Sequence, residues 1–168
     1  MAPDPFASLP DDSRLWVLAL AEAALPAQAE ALRAGLGSVL GGWRHKGQAY
    51  QAAWEFREAR LLLVAEASMA QEPSGCAIDG MLRRVRGLLE GLDLRPLPED
   101  HLLLRTGDIL TALPRADLGA WLEAGRISGA TPLLDLGLTH LGQLRGGRLE
   151  RPLAATWAGR KYGLHAAS

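Results

Sequence analysis

Two neighbouring segments constrain the fold most, because together they predict a β-hairpin. From Tyr50 to Arg57 apolar and polar residues alternate, which is the pattern of a strand with one buried face. From Arg60 to Ala67 the apolar residues are almost continuous, which is typical of a strand covered on both faces. Only a short polar turn at Glu58 separates the two segments. The fold must therefore accommodate an antiparallel pair of strands.

The flanking segments complete the order strand, helix, strand, strand, helix, strand. Leu15 to Glu22 is predicted as a strand, and apolar residues then recur at steps of three and four from Leu32 to Trp43, as on one helix face. A second helix is predicted from Ile78 to Leu92, and a fourth strand from His101 to Arg105. This order is that of a ferredoxin-like α+β fold, with two split β-α-β halves on one antiparallel sheet.

The pattern changes from Gly107 onward. A short helix is expected around Leu118, a strand from Thr131 to Leu138 and a helical turn near Trp157. No linker of disordered composition separates this part from the rest. We therefore expect a single domain over residues 1–168, with a ferredoxin-like core at 13–106 and a helix and strand extension at 107–168 packed on it. A chain of 168 residues can bury a core without disulfides.

Charge and composition limit the partners and the compartment. Lys and Arg number 18 and Asp and Glu 19, so no global field attracts nucleic acid or anionic lipid. The longest apolar run, Trp16 to Ala21, is far below the roughly 20 residues that a membrane helix needs. The lone Cys76 and the lack of a basic, apolar leader favour a cytoplasmic protein with no membrane partner. The excess of Arg over Lys is consistent with a GC-rich bacterial genome.

The start of the second predicted helix combines a capping residue, a flexible glycine and the thiol, at Ser74, Gly75 and Cys76, with Asp79 one turn on. Free N–H groups and the helix dipole favour an anion there, either a bound ligand or a thiolate at Cys76. Alternatively, Ser74 caps the helix, Asp79 complements the dipole and Cys76 is a small buried apolar group. The general tendency of lone cysteines to be buried favours this second interpretation.

The six residues at 74–79, Ser-Gly-Cys-Ala-Ile-Asp, resemble the Ser-Gly-Cys-Ser-Ile-Asp signature of a family of small uncharacterised bacterial proteins, many of which carry the name ABC transporter ATPase. Weaker matches accompany the string: Trp43 with His45 and Gly47, Gly125 followed by Thr131 and Leu134-Asp135, and Pro152 to Trp157. Ala77 replaces the family's second serine, and Lys46 stands where the family usually has a histidine. The resemblance implies one compact fold and no transferable activity.

Several chemistries lack their motifs in this sequence. A P-loop would need Gly-x-x-x-x-Gly-Lys followed by Ser or Thr to hold phosphates and magnesium, and no segment supplies it, so the ATPase name does not fit. The Gly-x-Ser-x-Gly elbow of serine hydrolases is also missing. The scattered histidines, His45, His101, His140 and His165, form no metal-ligand pattern, and no cofactor is predicted. His45 could serve as a base for Cys76 if the fold brings them together.

Two basic groups are candidates for nucleic-acid contact. Arg83, Arg84 and Arg86 cluster on the second predicted helix, and Arg160 and Lys161 belong to a basic C-terminal segment that also holds aromatic residues. The alternative is a solvated, arginine-rich surface. The slightly acidic balance of the whole chain favours that alternative, because nucleic-acid-binding domains are typically strongly basic.

Three hypotheses about function follow. The leading one is a non-enzymatic binding or assembly module that holds a small anion or a protein partner. The second is a thiol-dependent enzyme or redox protein that uses Cys76, and the third is a nucleic-acid-binding accessory protein. The edges and open face of a ferredoxin-like sheet would also favour self-association with a second copy.

Overall fold

The computed structural model describes residues 2–45, 48–49, 51–67 and 75–165. It confirms a mixed α+β protein in which the strands are antiparallel. In chain order its elements are β1 (Arg14–Ala19), α1 (Pro26–Gly41), β2 (Arg44–His45), β3 (Gln48–Ala49), β4 (Gln51–Arg57), β5 (Leu61–Ala67), α2 (Gly75–Gly91), β6 (His101–Thr106), β7 (Ile109–Pro114), α3 (Leu118–Glu123), β8 (Pro132–Leu134), α4 (Leu141–Arg145), β9 (Glu150–Pro152) and α5 (Trp157–Tyr162).

The predicted hairpin is confirmed as β4 and β5, which form a three-stranded sheet in the order β1-β5-β4. Glu58 and Ala59 in its turn have positive φ angles of 52° and 53°, the backbone that the tight turns of hairpins require. Helices α1 and α2 cover one face of this first sheet, where they pack on Leu62 and Val64 of β5. Their apolar faces contribute seven buried side chains: Ala29, Leu32, Leu36, Leu40, Met81, Val85 and Leu89.

The second sheet has four strands in the order β7-β6-β8-β9 and packs on the opposite face of the first. Leu63 and Ala65 of β5 share one apolar cluster with Leu103 and Leu134 of the second sheet. On the outer face of the second sheet, Leu104 packs with residues of α3 and α5. The layers therefore follow in the order α1 and α2, first sheet, second sheet, then α3 and α5.

The N-terminal segment before β1 belongs to the same core. Phe6 and Leu9 are buried in the cluster between the two sheets. Arg145, at the end of α4, fastens the segment by donating to the carbonyl oxygens of Phe6 at 2.8 Å and Leu9 at 2.9 Å. Its other terminal nitrogen donates to the Asp11 carboxylate at 2.6 Å. The beginning of the chain thus packs against its last third.

Arg60, just before β5, connects the two sheets. Its side chain is buried and donates to the carbonyl oxygens of Leu20 at 3.1 Å, of Leu110 at 2.7 Å and of Ala21. Leu20 and Ala21 follow β1, whereas Leu110 lies in β7 of the second sheet. One side chain therefore satisfies backbone acceptors on both sheets, and burial lowers the pKa of its guanidinium from the ordinary value.

Arg105 of β6 makes a second connection at the same end of the first sheet. It donates through two nitrogens to the Glu58 carboxylate, at 2.9 and 2.8 Å, and also to Glu150 of β9, at 2.9 Å from its Nε. Hydrogen bonding from Arg105 lowers the pKa of Glu58 below its usual range. The hairpin turn of the first sheet is thereby tied to two strands of the second.

The ferredoxin-like core is not confirmed, because the fourth strand is missing from the first sheet. Interleaving two split β-α-β halves would place that strand beside β1, in the order fourth strand, β1, β5, β4. The chain does reach this position at Pro96, which forms an isolated bridge with Leu20. A turn closed by the His101 N–H and the Pro98 carbonyl, 3.0 Å apart, then leads it away into β6. The second sheet consequently contains residues on both sides of position 106.

Candidate functional site

The missing strand leaves the outer edge of β1 incompletely paired. Leu20 donates to the Arg60 carbonyl at 2.9 Å, so the even-numbered residues of this stretch direct their N–H and C=O groups towards β5. Because these directions alternate along a strand, Leu15, Val17 and Ala19 direct theirs to the outside. The outer edge is therefore defined by the backbone groups of three residues.

Each end of this edge is occupied by a short piece of the same chain. At the N-terminal end, the N–H of Leu15 donates to the Thr139 carbonyl at 2.9 Å, beside an antiparallel bridge from Arg14 to His140. At the C-terminal end, the carbonyl of Ala19 accepts from the Leu97 N–H at 2.8 Å, beside the bridge at Leu20. Both flanking pieces run antiparallel to β1.

The centre of the edge has no partner within the part of the chain that the structure describes. The C=O of Leu15, both backbone groups of Val17 and the N–H of Ala19 make no hydrogen bond there. An unpaired strand edge of this kind can template the addition of another extended chain. We call this stretch, Leu15 to Ala19, the open edge.

The open edge forms the floor of a groove of about 570 Å³. Leu82 and Arg86 of α2 line the groove on the helix side of the first sheet. Residues 136–140, in the loop that leads to α4, line it as well. Trp16, Val17 and Leu18 are only half-buried, which is consistent with an accessible strand edge.

The charged groups of the groove are Asp12, Arg14, Arg86 and His140. Arg86 is exposed, and within the described residues no carboxylate comes within ion-pair distance of it, including that of Glu90 one turn further along α2. Nδ1 of His140 lies 2.9 Å from the hydroxyl oxygen of Thr139. With His140 neutral, the groove carries two cations and one anion.

A buried acid lies in the first sheet beside the N-terminal end of the groove. Glu66 of β5 is directly opposite Arg14 and is only 1% exposed. Neither of its carboxylate oxygens has a hydrogen-bond partner among the described residues. Burial raises the pKa of Glu66 to about 7, although the charge of Arg14 acts in the opposite direction. Glu66 therefore holds its proton at any pH well below neutrality.

The predicted site at residues 74–79 is only partly covered by the structure. Ser74 lies outside the described residues, so its capping role stays a prediction. Gly75 begins α2, and Cys76 and Asp79 in its first turns are both exposed. The expectation of a buried, structural Cys76 is therefore wrong: the buried face of this helix begins with the partly buried Ile78, which packs against the core.

The structure brings the backbone before His45 close to the start of α2. The indole nitrogen of Trp43 donates to the carbonyl oxygen of Ala77 at 3.1 Å, and Trp43 itself is buried. His45 lies two residues further on, in β2, and Cys76 is next to Ala77. That His45 acts as a base for Cys76 stays a prediction. The hydrogen bond from Trp43 to Ala77 shows that the two backbone segments are close, but it does not give the distance between the imidazole and the thiol.

The basic residues predicted for nucleic acid lie on different layers. Arg83, Arg84 and Arg86 are exposed on α2, which covers the first sheet, and of these only Arg86 lines the groove. Arg160 and Lys161 are exposed in the last turn of α5, on the far side of the second sheet. The prediction of nucleic-acid binding would thus require one ligand to reach two separate surfaces, or to use either surface alone.

A second cleft, of about 350 Å³, opens where β6 and β8 diverge after their single pair, Leu104 with Leu133. His101 lines it and its Nδ1 lies 2.8 Å from the Asp100 carboxylate. Arg115 lies over the Trp157 ring at 4.7 Å from the centroid. Sequence reasoning missed this cleft and the open edge, since both depend on which strands pair. The only local signal was the pair of prolines at 96 and 98.

Over the described ranges, no three His, Cys, Asp or Glu side chains come together in a group that could hold a metal ion. In the same residues no helix is long and apolar enough to cross a membrane. Comparison with known proteins adds no relative: no protein-family model matches the chain, and no curated protein or solved structure is significantly similar to it. The site must therefore be interpreted from its own geometry.

Proposed function

We propose that this protein is a binding module that accepts a short extended peptide along the open edge, by β-strand addition. In this mode of recognition, main-chain hydrogen bonds provide affinity and the neighbouring walls provide specificity. The observation that carries the proposal is the run of unpaired backbone groups from Leu15 to Ala19 at the floor of a groove. The peptide would occupy the place of the absent fourth strand.

The unpaired groups match those of a parallel peptide, because Thr139 and Leu97 already face Leu15 and Ala19, where an antiparallel peptide would need to pair. In a parallel pair each residue bonds to the two neighbours of the residue that it faces. A peptide residue that faces Trp16 would therefore donate to the Leu15 carbonyl and accept from the Val17 N–H. The residue that faces Leu18 would donate to the Val17 carbonyl and accept from the Ala19 N–H. Every unpaired backbone group of the open edge would then have a partner.

The flanking bridges favour a short peptide over a second folded copy of this chain. From Arg14 to Leu20 the strand advances by about 20 Å at roughly 3.3 Å per residue. Both ends of that distance are already paired, with His140 and Pro96. An edge strand of another folded copy would continue beyond these positions and overlap the two flanking pieces. A chain end, or a segment that bends away after a few residues, would not.

The test is a selection from a phage-displayed library of random heptapeptides with the wild-type protein and with Val17→Pro. Proline is tolerated at an edge position whose N–H faces outward, but it removes that donor and fills the groove side. We expect enriched peptides that bind wild type and lose at least about tenfold in affinity with Val17→Pro, which corresponds to one or two hydrogen bonds.

Circular dichroism and size-exclusion chromatography control for the fold and the oligomeric state of both proteins. Amide hydrogen exchange gives the structural readout: peptide binding should slow exchange at Val17 and Ala19 and leave Trp16 unchanged. Peptides that bind both proteins equally, or no enrichment at all, would overturn the proposal. A concentration-dependent dimer that Val17→Pro abolishes would instead identify a second copy as the occupant.

The other hypotheses stay predictions with tests of their own. For the thiol-dependent activity, the exposure of Cys76 is favourable, and fast alkylation with an apparent pKa near 7 or lower would support a thiolate at the start of α2. For nucleic-acid binding, the absence of a gel shift at low salt would end the hypothesis. The cytoplasmic location, the bacterial origin and the family resemblance around residues 74–79 likewise remain proposals.

A further inference from the structure

We infer that the groove selects peptides with acidic side chains, an inference that rests on the proposed peptide binding. The side chain that carries it is Arg86. It lines the groove from α2, it is exposed, and no described carboxylate pairs with it. A guanidinium offers several donors in a planar fork that fits a carboxylate, so an acidic side chain on a bound peptide would find a matching partner.

The placement of Arg86 follows from helical periodicity. Leu82 and Arg86 are four residues apart, so they lie on the same face of α2, and both line the groove. Arg83 and Arg84 are also exposed on the same helix but do not line the groove. This difference provides a control, because Arg83 has the same charge and nearly the same position along the chain as Arg86.

The remaining acidic and arginine side chains of the groove do not oppose this selection. Asp12 and Arg14 line it with one charge of each sign. An acidic side chain on the peptide would therefore gain the contact with Arg86, whereas a basic side chain would meet like charge there.

The probes are two fluorescein-labelled peptides with the same backbone and the same β-forming centre, Glu-Val-Thr-Val-Glu and Lys-Val-Thr-Val-Lys, both with blocked termini. Fluorescence anisotropy measures their binding to wild type, Arg86→Glu, Arg83→Glu and Val17→Pro. We expect the acidic peptide to bind wild type about five- to tenfold more tightly than the basic one, as suits partly exposed charge pairs. The preference should decrease at high salt.

Arg86→Glu should remove or reverse the preference, and Arg83→Glu should preserve it. If both peptides bind wild type equally and Val17→Pro abolishes both, the charge selection is overturned while the proposed function stands. Equal effects of Arg83→Glu and Arg86→Glu would also overturn the charge selection, because the charge would then act through the general field of α2. If neither peptide shows binding that depends on Val17, the proposed function itself fails.

Discussion

At the start of the central strand β5, Arg60 is buried with each of its donor nitrogens on a backbone carbonyl oxygen; near the end of the same strand, Glu66 is buried with no hydrogen-bond partner in the described residues. The first side chain ties two sheets together. The second keeps its proton up to near neutral pH. The comparison teaches that partners, more than depth of burial, decide what a buried charged residue contributes to stability.

The largest loss of stability is expected when the guanidinium of Arg60 is removed, because it donates hydrogen bonds to carbonyl oxygens of both sheets. Arg60→Met keeps most of the side-chain volume but leaves buried carbonyl oxygens without donors, so the free energy of unfolding should fall by about 3–5 kcal/mol. Urea unfolding measures the loss. Arg57→Met is the control, because Arg57 pairs with Glu55 at a half-exposed site and should cost less than about 1 kcal/mol. Equal losses in the two variants would contradict the special role of Arg60.

Glu66 should make stability depend on pH in the direction set by its raised pKa. Its pKa is about 7 in the folded protein, against an ordinary value of 4.5. The folded state therefore retains a proton that the unfolded state releases between these values. The stabilisation is complete below pH 4.5 and is lost as the pH rises through 7, by at most about 3 kcal/mol.

Glu66→Gln, which cannot ionise, tests this dependence. The variant should match wild type near pH 4.5 and be more stable than wild type at pH 8, as measured by urea unfolding at several pH values. Parallel pH curves for the two proteins would show that Glu66 titrates normally. Such a result would also contradict the comparison with Arg60, because the lack of hydrogen-bond partners at Glu66 would then have no effect on stability.

The smallest effect is expected at Arg105, which lies at the same end of the first sheet as Arg60 but is partly exposed. Its ion pairs with Glu58 and Glu150 are screened by solvent, so Arg105→Met should lower the free energy of unfolding by about 1 kcal/mol. The loss should shrink in 1 M NaCl. A loss as large as that of Arg60→Met would mean that the ion pairs, and not the buried guanidinium, hold this end of the sheets together.

The sequence predicted the elements of the first sheet well because each has a long, regular pattern. The alternating residues after Tyr50 form β4, and the apolar run that ends at Ala67 forms β5. The residues with helical spacing from Ile78 onward form α2. The short helix near Leu118 was also predicted correctly. In these segments local periodicity and burial agree, so a single sequence is enough.

The pairing of His101–Thr106 could not be predicted, because the same strand pattern satisfies either sheet. Its partner is decided by the Pro98–His101 turn and by β8, a strand of three residues whose period is too short to recognise. The open edge of β1 follows from that choice, since a missing neighbour leaves no mark on the sequence of the strand it would have covered. For the same reason, the sequence predicts a candidate site at the start of α2 and gives no indication of one beside β1.

Arg145 holds the segment of Phe6 and Leu9 by hydrogen bonds, so this segment can take its place only after Arg145 has been synthesised. The two apolar clusters of the first sheet can therefore form at different times during synthesis. During synthesis the helix-facing side of the first sheet can assemble as soon as α2 has emerged, since its apolar cluster draws on residues up to Leu94. The cluster between the sheets, however, needs Leu141 and Leu149 as well as the earliest residues. The nascent chain must therefore carry Phe6 and Leu9 uncovered until residues up to Leu149 have emerged, and during that time a chaperone would find them accessible.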